Sequence, residues 1–208
     1  MSRASTSTAA GAGAGKPRVR RRGAADLGVC VRALAEVHAR DGYPVNWPAR
    51  PAGWLAQASS SLDAWVAELD GQVVGHIGLS RSGAGDAAAV LWSAREDVGI
   101  ERTAVVSRLF VAPGARGHGI GGLLMAEAVH EAGNRGLHPV LDVVSCDTAA
   151  AALYERLGWE LLAVVEQRWS PDRTVSVRCY AAPVTTRGSR GSRGPDCPPP
   201  RHSPAGPW

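Results

Sequence analysis

A glycine-rich loop lies directly between a strand-like segment and an amphipathic helix in the middle of this 208-residue chain. Residues 103–113 are apolar and rich in β-branched side chains, and they end at Pro113-Gly114, which predicts a strand. From Ile120 to Arg135 apolar residues recur on one helical face, and Gly136 supplies a left-handed stop. The chain is therefore predicted to contain a strand–loop–helix unit, which indicates an α/β fold.

The loop itself reads Arg116-Gly117-His118-Gly119-Ile120-Gly121. At the start of a helix, unpaired backbone N–H groups and the positive end of the helix dipole favour a phosphate, and glycines let it approach closely. Arg116 adds a cation. The same letters also occur in ordinary strand-to-helix turns. The chain lacks a nucleotide-triphosphatase P-loop, and Leu124 stands where the last glycine of a dinucleotide motif would be. These observations favour a pyrophosphate ligand such as that of coenzyme A.

Periodicity and turn residues predict the other elements, including a hairpin at Asp70-Gly71. Residues 41–54 form a Pro- and Trp-rich loop before a short helix, and residues 81–103 are expected to be a loop with some strand extension. The remaining predicted strands are 18–22, 64–69, 72–79, 140–145, 160–169 and 173–181, and the remaining helices are 24–40 and 148–157. The predicted fold is a mixed sheet of six or seven strands with about four flanking helices.

Two motifs give the chain a resemblance to the GNAT acetyltransferase superfamily. Arg116, Gly119 and Gly121 match its acetyl-CoA signature. Residues 147–159 match a second signature through Ala150, Tyr154-Glu155 and Gly158-Trp159, with Asp147 where the family often has Asn. The resemblance extends over roughly residues 18–182 in element order. It implies a strongly twisted mixed sheet whose fourth and fifth strands splay apart to admit the pantetheine arm.

The resemblance also implies which residues bind acetyl-CoA and which acts in the reaction. Backbone groups of the fourth strand would hold the pantetheine and polarise the thioester carbonyl, and the loop amides would hold the pyrophosphate. Tyr154 would protonate the departing thiolate, although a core tyrosine is the alternative. The predicted cofactor-binding residues are Leu109, Phe110, Val111, Arg116, Gly117, His118, Gly119, Ile120, Gly121, Gly122 and Asp147.

The sequence does not identify the general base. Ser107 occupies the position where some family members have a glutamate, and Glu101, Asp97 or Asp142 could assist instead. Four further residues of reactive type are interpreted as ordinary loop or strand residues: His76, His118, Ser145 and Cys146.

Charge and composition bound the partners. Residues 1–23 hold six basic residues and no acidic ones, and residues 186–208 have a net charge of +3. Because the whole chain has a net charge of +4, the body of the chain, residues 24–185, has a net charge of −5. An acidic body argues against a nucleic-acid groove and for a cationic amine as the acceptor. The four cysteines form no metal-type cluster, so no metal is expected. No secretory signal or membrane-spanning run is visible, which favours a cytoplasmic protein without a membrane partner.

The chain is accordingly predicted to have one domain, residues 17–183, between disordered segments 1–16 and 184–208. The predicted function is transfer of an acetyl group from acetyl-CoA to a primary amine of a small molecule, by direct attack in a ternary complex, with loops 41–55 and 81–103 shaping the acceptor site. Two alternatives stay open: a non-catalytic acyl-CoA-binding or regulatory module, and a protein N-terminal or lysine acetyltransferase. A homodimer is one alternative for the assembly.

Overall fold

The computed structural model describes residues 15–56 and 60–183. Their strands form one seven-stranded sheet in the order β1-β2-β3-β4-β5-β7-β6. Only β4 and β5 run parallel, and every other neighbouring pair is antiparallel. The strands are β1 (Arg18–Arg21), β2 (Ser61–Leu69), β3 (Gln72–Arg81), β4 (Thr103–Val111), β5 (His138–Val144), β6 (Glu160–Ser170) and β7 (Arg173–Ala181). The predicted mixed sheet is confirmed, whereas the predicted disordered ends lie outside the described residues except for Gly15 and Lys16.

Five α-helices of the described residues cover the two faces of the sheet. The helices are α1 (Leu27–Asp41), α2 (Pro51–Ala56), α3 (Ala87–Glu96), α4 (Ile120–Asn134) and α5 (Thr148–Arg156). Helices α4 and α5 pack on one face, and α1, α2 and α3 pack on the other. Alternate strand residues supply the two cores, as Val140 and Leu141 illustrate by facing α3 and α4 respectively.

The Asp70-Gly71 hairpin joins β2 to β3 as predicted. Both residues have left-handed backbone angles, with φ of 52° and 76°. This conformation is the one that a two-residue turn needs to match the twist of its strands. The early α1 helix is also confirmed, since Leu34 and Val37 are buried and Leu27 and Val31 pack beside them.

The expectation of a loop over residues 81–103 is wrong for its centre, where α3 forms. Ala88 and Ala89 are fully buried against the sheet, and alanine has the highest helix propensity. The two backbone N–H groups at the start of α3 donate to the carboxylate of Asp142, at 3.0 Å each. This cap comes from β5, 55 residues away for Ala87, so no local sequence signal announces it.

Strands β4 and β5 diverge soon after they meet. Their pairing covers only Thr103–Val105 against His138–Val140, although both strands continue beyond it. A register shift between β3 and β4 accompanies the divergence, and Arg108 within it has a φ of 54°. The predicted splaying of the fourth and fifth strands is confirmed, and it opens a cleft in the middle of the sheet.

Candidate active site

Two cavities lie along this cleft. The first, named here the cleft cavity, has a volume of about 340 Å³ and lies between the diverging parts of β4 and β5. The second, the loop cavity, has a volume of about 530 Å³ and is bordered by the glycine-rich loop and α5. Five residues line both cavities: Tyr43, Leu109, Asp147, Ala150 and Tyr154. The two spaces therefore meet at the hydroxyl-bearing face of α5.

The loop cavity ends at the start of α4. Gly119 precedes the helix with a φ of 72°, and no side chain caps its N–H groups. Gly117 is also left-handed, with a φ of 84°, and both conformations suit glycine because a Cβ would strain them. Uncapped amides, two left-handed glycines and the helix dipole form the arrangement that binds phosphate oxygens.

Arg116 lines the loop cavity as predicted, but it is also paired. Its guanidinium contacts the carboxylate of Asp41 and donates to the carbonyl oxygen of Val111 at 3.3 Å. The hydrogen bond from Arg116 lowers the pKa of Asp41, so this acid stays ionised. The pair holds the loop against the end of α1.

His118 is the one predicted cofactor-binding residue that does not line either cavity. Its Nδ1 lies 3.2 Å from the carbonyl oxygen of Ala115 and 3.1 Å from that of Arg116, which ties the ring to its own turn. The residues that do line the loop cavity are Leu109, Phe110, Val111, Arg116, Gly117, Gly119, Ile120, Gly121, Gly122 and Asp147. The structure thus brings ten of the eleven predicted residues together.

Close packing brings α4 onto the sheet at the loop. A Cβ on Gly75 of β3 would lie 3.2 Å from the carbonyl oxygen of Phe110 and 3.3 Å from a methyl carbon of Ile120. A Cβ on Gly121 would likewise meet Leu153 of α5 at 3.1 Å. Small residues at these two contacts let the first turn of α4 approach both β3 and α5.

Tyr154 sits at the junction of the cavities and is 7% exposed. Its ring packs against Trp159 and Tyr180, with centroid distances of 6.1 and 5.7 Å. Burial raises the pKa of Tyr154, so the phenol keeps its proton through the neutral range. A protonated hydroxyl at this point can donate to an atom held between the two cavities.

Asp147 begins α5 and has a structural task. Its carboxylate accepts a hydrogen bond of 2.9 Å from the backbone N–H of Ala150, which caps the helix. The family's more frequent asparagine would cap in the same way. The cap places Tyr154 two helical turns further along, facing the same space.

Among the acids considered as a base, only Asp142 lines the cleft cavity. Burial raises its pKa, and both carboxylate oxygens are occupied by the amides of α3. Asp97 and Glu101 are exposed and line neither cavity. Ser107 lines the cleft cavity, where its hydroxyl accepts a hydrogen bond of 3.1 Å from Arg108.

The aromatic loop before α2 contributes to the cleft cavity as expected. Tyr43 of this loop and Trp54 of α2 line it, whereas no residue of 81–103 does. Gln167 and Trp169 of β6 close the other side. Sequence reasoning did not single out Arg108, which also lines this cavity. The available signal was a lone cation inside an apolar, β-branched strand.

The remaining residues of reactive type lie outside both cavities. His76 is fully buried, with Nδ1 2.9 Å from the carbonyl oxygen of Arg108 and Nε2 3.0 Å from Arg22. Because arginine only donates, Nε2 accepts and Nδ1–H donates to Arg108. Burial lowers the pKa of His76 to about 4. Ser145 bonds Ser176 at 3.1 Å, and Cys146 is exposed.

Within residues 15–56 and 60–183, no three His, Cys, Asp or Glu side chains are grouped so that they could hold a metal ion. None of the described helices combines the length and apolar character needed to cross a bilayer.

The fold is similar to that of several known proteins. A putative acetyltransferase from Salmonella typhimurium, yncA, solved with acetyl-CoA, superposes with a TM-score of 0.61 at 19% identity, covering 85% of this chain and 98% of that one. The ribosomal-protein-S18-alanine N-acetyltransferase from Escherichia coli gives a TM-score of 0.59 at 18% identity, covering 84% and 97%. A ribosomal-protein-alanine N-acetyltransferase from Brucella melitensis gives a TM-score of 0.58 at 22% identity, covering 79% of this chain and 98% of that one.

No curated protein matches the chain by sequence. The model of the acetyltransferase (GNAT) family, however, matches residues 32–159, which include the glycine-rich loop, the open strand β4 and Tyr154. This match covers more than half of the 208 residues. The splayed strands β4 and β5 are the feature that the resemblance to this family implied. The chain therefore belongs to the GNAT acetyltransferase family.

Proposed function

We propose that this protein transfers the acetyl group of acetyl-CoA to a primary amine of a small molecule, by direct attack within a ternary complex. The observation that carries the proposal is the junction of the two cavities at Tyr154. One cavity begins at a phosphate-binding helix start, and the other opens onto a separate space, so two substrates can meet beside one proton donor.

The residues of the loop cavity fit coenzyme A. The uncapped amides of residues 117–122 suit its diphosphate, and Arg116 lies beside them. Beyond Val105 the edge of β4 that faces β5 has no paired strand, so backbone groups of Leu109–Val111 can hydrogen-bond an extended pantetheine arm. Acetyl-CoA supplies an activated thioester. A donor aimed at its carbonyl oxygen typically contributes about 2.7 to 4 kcal/mol as charge develops there.

Residues of the chain would then donate and accept the protons of the reaction at the junction of the two cavities. As the amine nitrogen bonds to the carbonyl carbon and the carbon–sulfur bond breaks, Tyr154 donates its hydroxyl proton to the sulfur. The nitrogen releases one proton to water as the amide forms, so the products are the N-acetylated amine and the free thiol, and Tyr154 regains its proton from solvent. A primary amine with a pKa near 10 must first lose a proton. Water at the cavity mouth can accept this proton, and so can the Asp142 carboxylate, which lines the cleft cavity, through a lone pair that the amides of α3 do not use.

The size of the cleft cavity supports a small acceptor. Its volume of about 340 Å³ lies at the lower end of small-molecule sites. The structural neighbours include enzymes named for ribosomal-protein alanine and one named as a putative phosphinothricin N-acetyltransferase. Acceptors therefore differ among proteins of this fold, and the cavity walls of this chain are the better guide.

Replacing Tyr154 by Phe tests the proposal. We expect turnover, measured as thiol release from acetyl-CoA across an amine panel, to fall by about 100- to 10,000-fold because the proton donor is lost. The affinity for CoA, measured by calorimetry, should change by less than about twofold. Tyr180→Phe is the matched control, because it removes a buried phenol hydroxyl that lies outside both cavities.

Two outcomes would contradict the proposal. Absence of CoA binding to folded protein would remove the assignment of the loop cavity. CoA binding without thiol release from any amine would instead identify a non-catalytic acyl-CoA-binding module, for which Ser107 in place of a basic carboxylate is the supporting feature.

A further inference from the structure

Arg108 places a cation in the cleft cavity. Its guanidinium carbon lies 4.9 Å from the centre of the Trp54 ring, and Nη1 donates to the Ser107 hydroxyl at 3.1 Å. Nε is buried and has no hydrogen-bond partner among the described residues. Nor does any carboxylate of residues 15–56 and 60–183 form an ion pair with this side chain.

The two acids that line the same cavity are already engaged. Asp142 accepts both leading amides of α3, and Asp147 accepts the amide of Ala150 at the start of α5. Each carboxylate thus faces the positive end of a helix. Their charge is used inside the protein, which leaves the guanidinium as the charge without a protein counterion in this space.

The backbone holds Arg108 in an unfavourable conformation. Its φ of 54° belongs to the left-handed region, which non-glycine residues rarely occupy. The buried His76 donates to the carbonyl oxygen of Arg108 and thereby fixes this bulge. Trp54 then limits the guanidinium from one side. The side chain is therefore oriented in advance, as a ligand-binding group requires.

A packing role does not account for this arrangement. Elsewhere in the chain, Arg20 satisfies its guanidinium with Asp26 and Glu68 at 2.7 and 2.8 Å. Arg108 gains no such partner, and burial together with the nearby Arg22 lowers its pKa. Buried cations in proteins are ordinarily paired, so an unpaired one that lines a cavity indicates an anionic ligand.

We propose that the acceptor amine also carries a carboxylate, and that Arg108 binds this carboxylate while the amine faces the junction at Tyr154. The acceptor class is then amino acids and related amino carboxylates. This inference rests on the proposed function and specifies its substrate. The planar guanidinium can offer its two terminal nitrogens, Nη1 and Nη2, to the two carboxylate oxygens in a paired contact, with the buried Nε–H behind them.

The net negative charge of residues 24–185 led to the expectation of a cationic acceptor, and the cation in the cleft cavity adds a carboxylate to that expectation. Long-range attraction concentrates cations near an acidic surface, but binding depends on the groups that the ligand touches. A zwitterion satisfies both conditions, because its ammonium group matches the acidic surroundings and its carboxylate matches Arg108.

The test compares matched amines on the full-length protein. Amino acids, their carboxamides and the corresponding decarboxylated amines are assayed for thiol release from acetyl-CoA. We expect the free carboxylates to have a kcat/KM about 10- to 100-fold higher than their matched neutral partners. Arg108→Met should abolish this preference, and Arg108→Lys should retain part of it. Arg95→Met, which removes a surface guanidinium paired with Glu96 and Glu160, should keep it.

A binding readout makes the test independent of turnover. In the presence of CoA, a preferred amino acid should shift the Nε–H resonance of Arg108 in a nitrogen–proton spectrum, assigned by its loss in Arg108→Lys. Calorimetry should show CoA affinity within about twofold of the parent for Arg108→Met. Arg108→Met should also unfold at the same or a higher denaturant concentration, since it removes a half-buried cation that has no ion-pair partner among the described residues.

Distinct results overturn the two proposals. Turnover of amines without any preference for a carboxylate would overturn the Arg108 assignment and leave the acetyltransferase proposal intact, as would a preference that survives Arg108→Met. Preference for phosphate-bearing over carboxylate-bearing amines would also overturn the stated class. If CoA binds but no amine is acetylated, the proposed function fails, and the Nε–H shift then decides the carboxylate site by itself.

Discussion

At the residue scale, the site depends on single side chains whose environment differs from that in water. Tyr154 is kept protonated by burial, and Arg108 is held without a protein counterion. His76 supports Arg108 from behind, because its neutral ring accepts from Arg22 and donates to the bulge. Protonation of this imidazole would place a third positive charge between two arginines, so the support works only while His76 is neutral.

This network predicts a pH dependence of stability. The pKa of His76 is about 4 in the folded chain and near 6.5 in the unfolded one. Between these two pKa values, His76 is protonated in the unfolded state but neutral in the folded state. The free energy of unfolding should therefore decrease as pH falls from about 6.5 to about 4. A difference of this size corresponds to about 3 kcal/mol, lost fully below pH 4.

Denaturant unfolding at several pH values checks it. His76→Gln should be less stable than the parent at pH 7 but should lose about 3 kcal/mol less on acidification. His130→Gln, at an exposed position on α4, should follow the parent curve. An unchanged pH slope in His76→Gln would contradict the assignment.

At the element scale, α4 has two glycines of different consequence, one at its start and one near its end. Gly119 must be left-handed to begin the helix and leave its amides open, whereas Gly133 lies near the end with an ordinary backbone and open space around it. Only the first glycine belongs to the proposed CoA site, and the other weakens the helix. The two positions therefore form an internal comparison within one element.

Alanine at these two positions should have opposite effects. Gly119→Ala should destabilise the protein by about 1 to 2 kcal/mol because a Cβ strains the left-handed conformation. It should also weaken CoA binding, since the loop amides move. Gly133→Ala should stabilise by about 0.5 to 1 kcal/mol and leave CoA binding unchanged. Thermal unfolding and calorimetry measure both, and equal stability of the two variants would refute the reasoning.

At the scale of the whole molecule, the cavities draw their walls from the body of the chain. All described residues that line the cleft and loop cavities fall between Val37 and Val177. The basic residues concentrated near the ends are not among them. The charge that surrounds the two cavities is accordingly that of the acidic body.

A shortened chain of residues 15–183 should therefore keep function. We expect its affinity for CoA and its kcat/KM to lie within about twofold of the full-length values, because no wall of either described cavity is removed. Thiol-release assays and calorimetry compare the two chains. Loss of function on this truncation would instead indicate that the basic ends take part in function, for example by contacting a nucleic acid.

Local patterns in the sequence were sufficient for much of this molecule. The glycine-rich loop, the Asp70-Gly71 hairpin and the helix carrying Tyr154 each contain their own start, stop and face, and each formed as predicted. Their signals lie within a few residues of one another, so the physics that forms them is local.

Tertiary structure alone decided the rest. Helix α3 is capped by Asp142 from a strand 55 residues away from Ala87, and the bulge at Arg108 is clamped by His76, 32 residues away. The meeting of the two cavities at Tyr154 likewise requires β4 and β5 to part in space. Such contacts join residues that no window of sequence contains together. Consequently the residues that line the loop cavity could be predicted from their motifs, whereas the cleft cavity, with the cation of Arg108, emerged only from the folded chain.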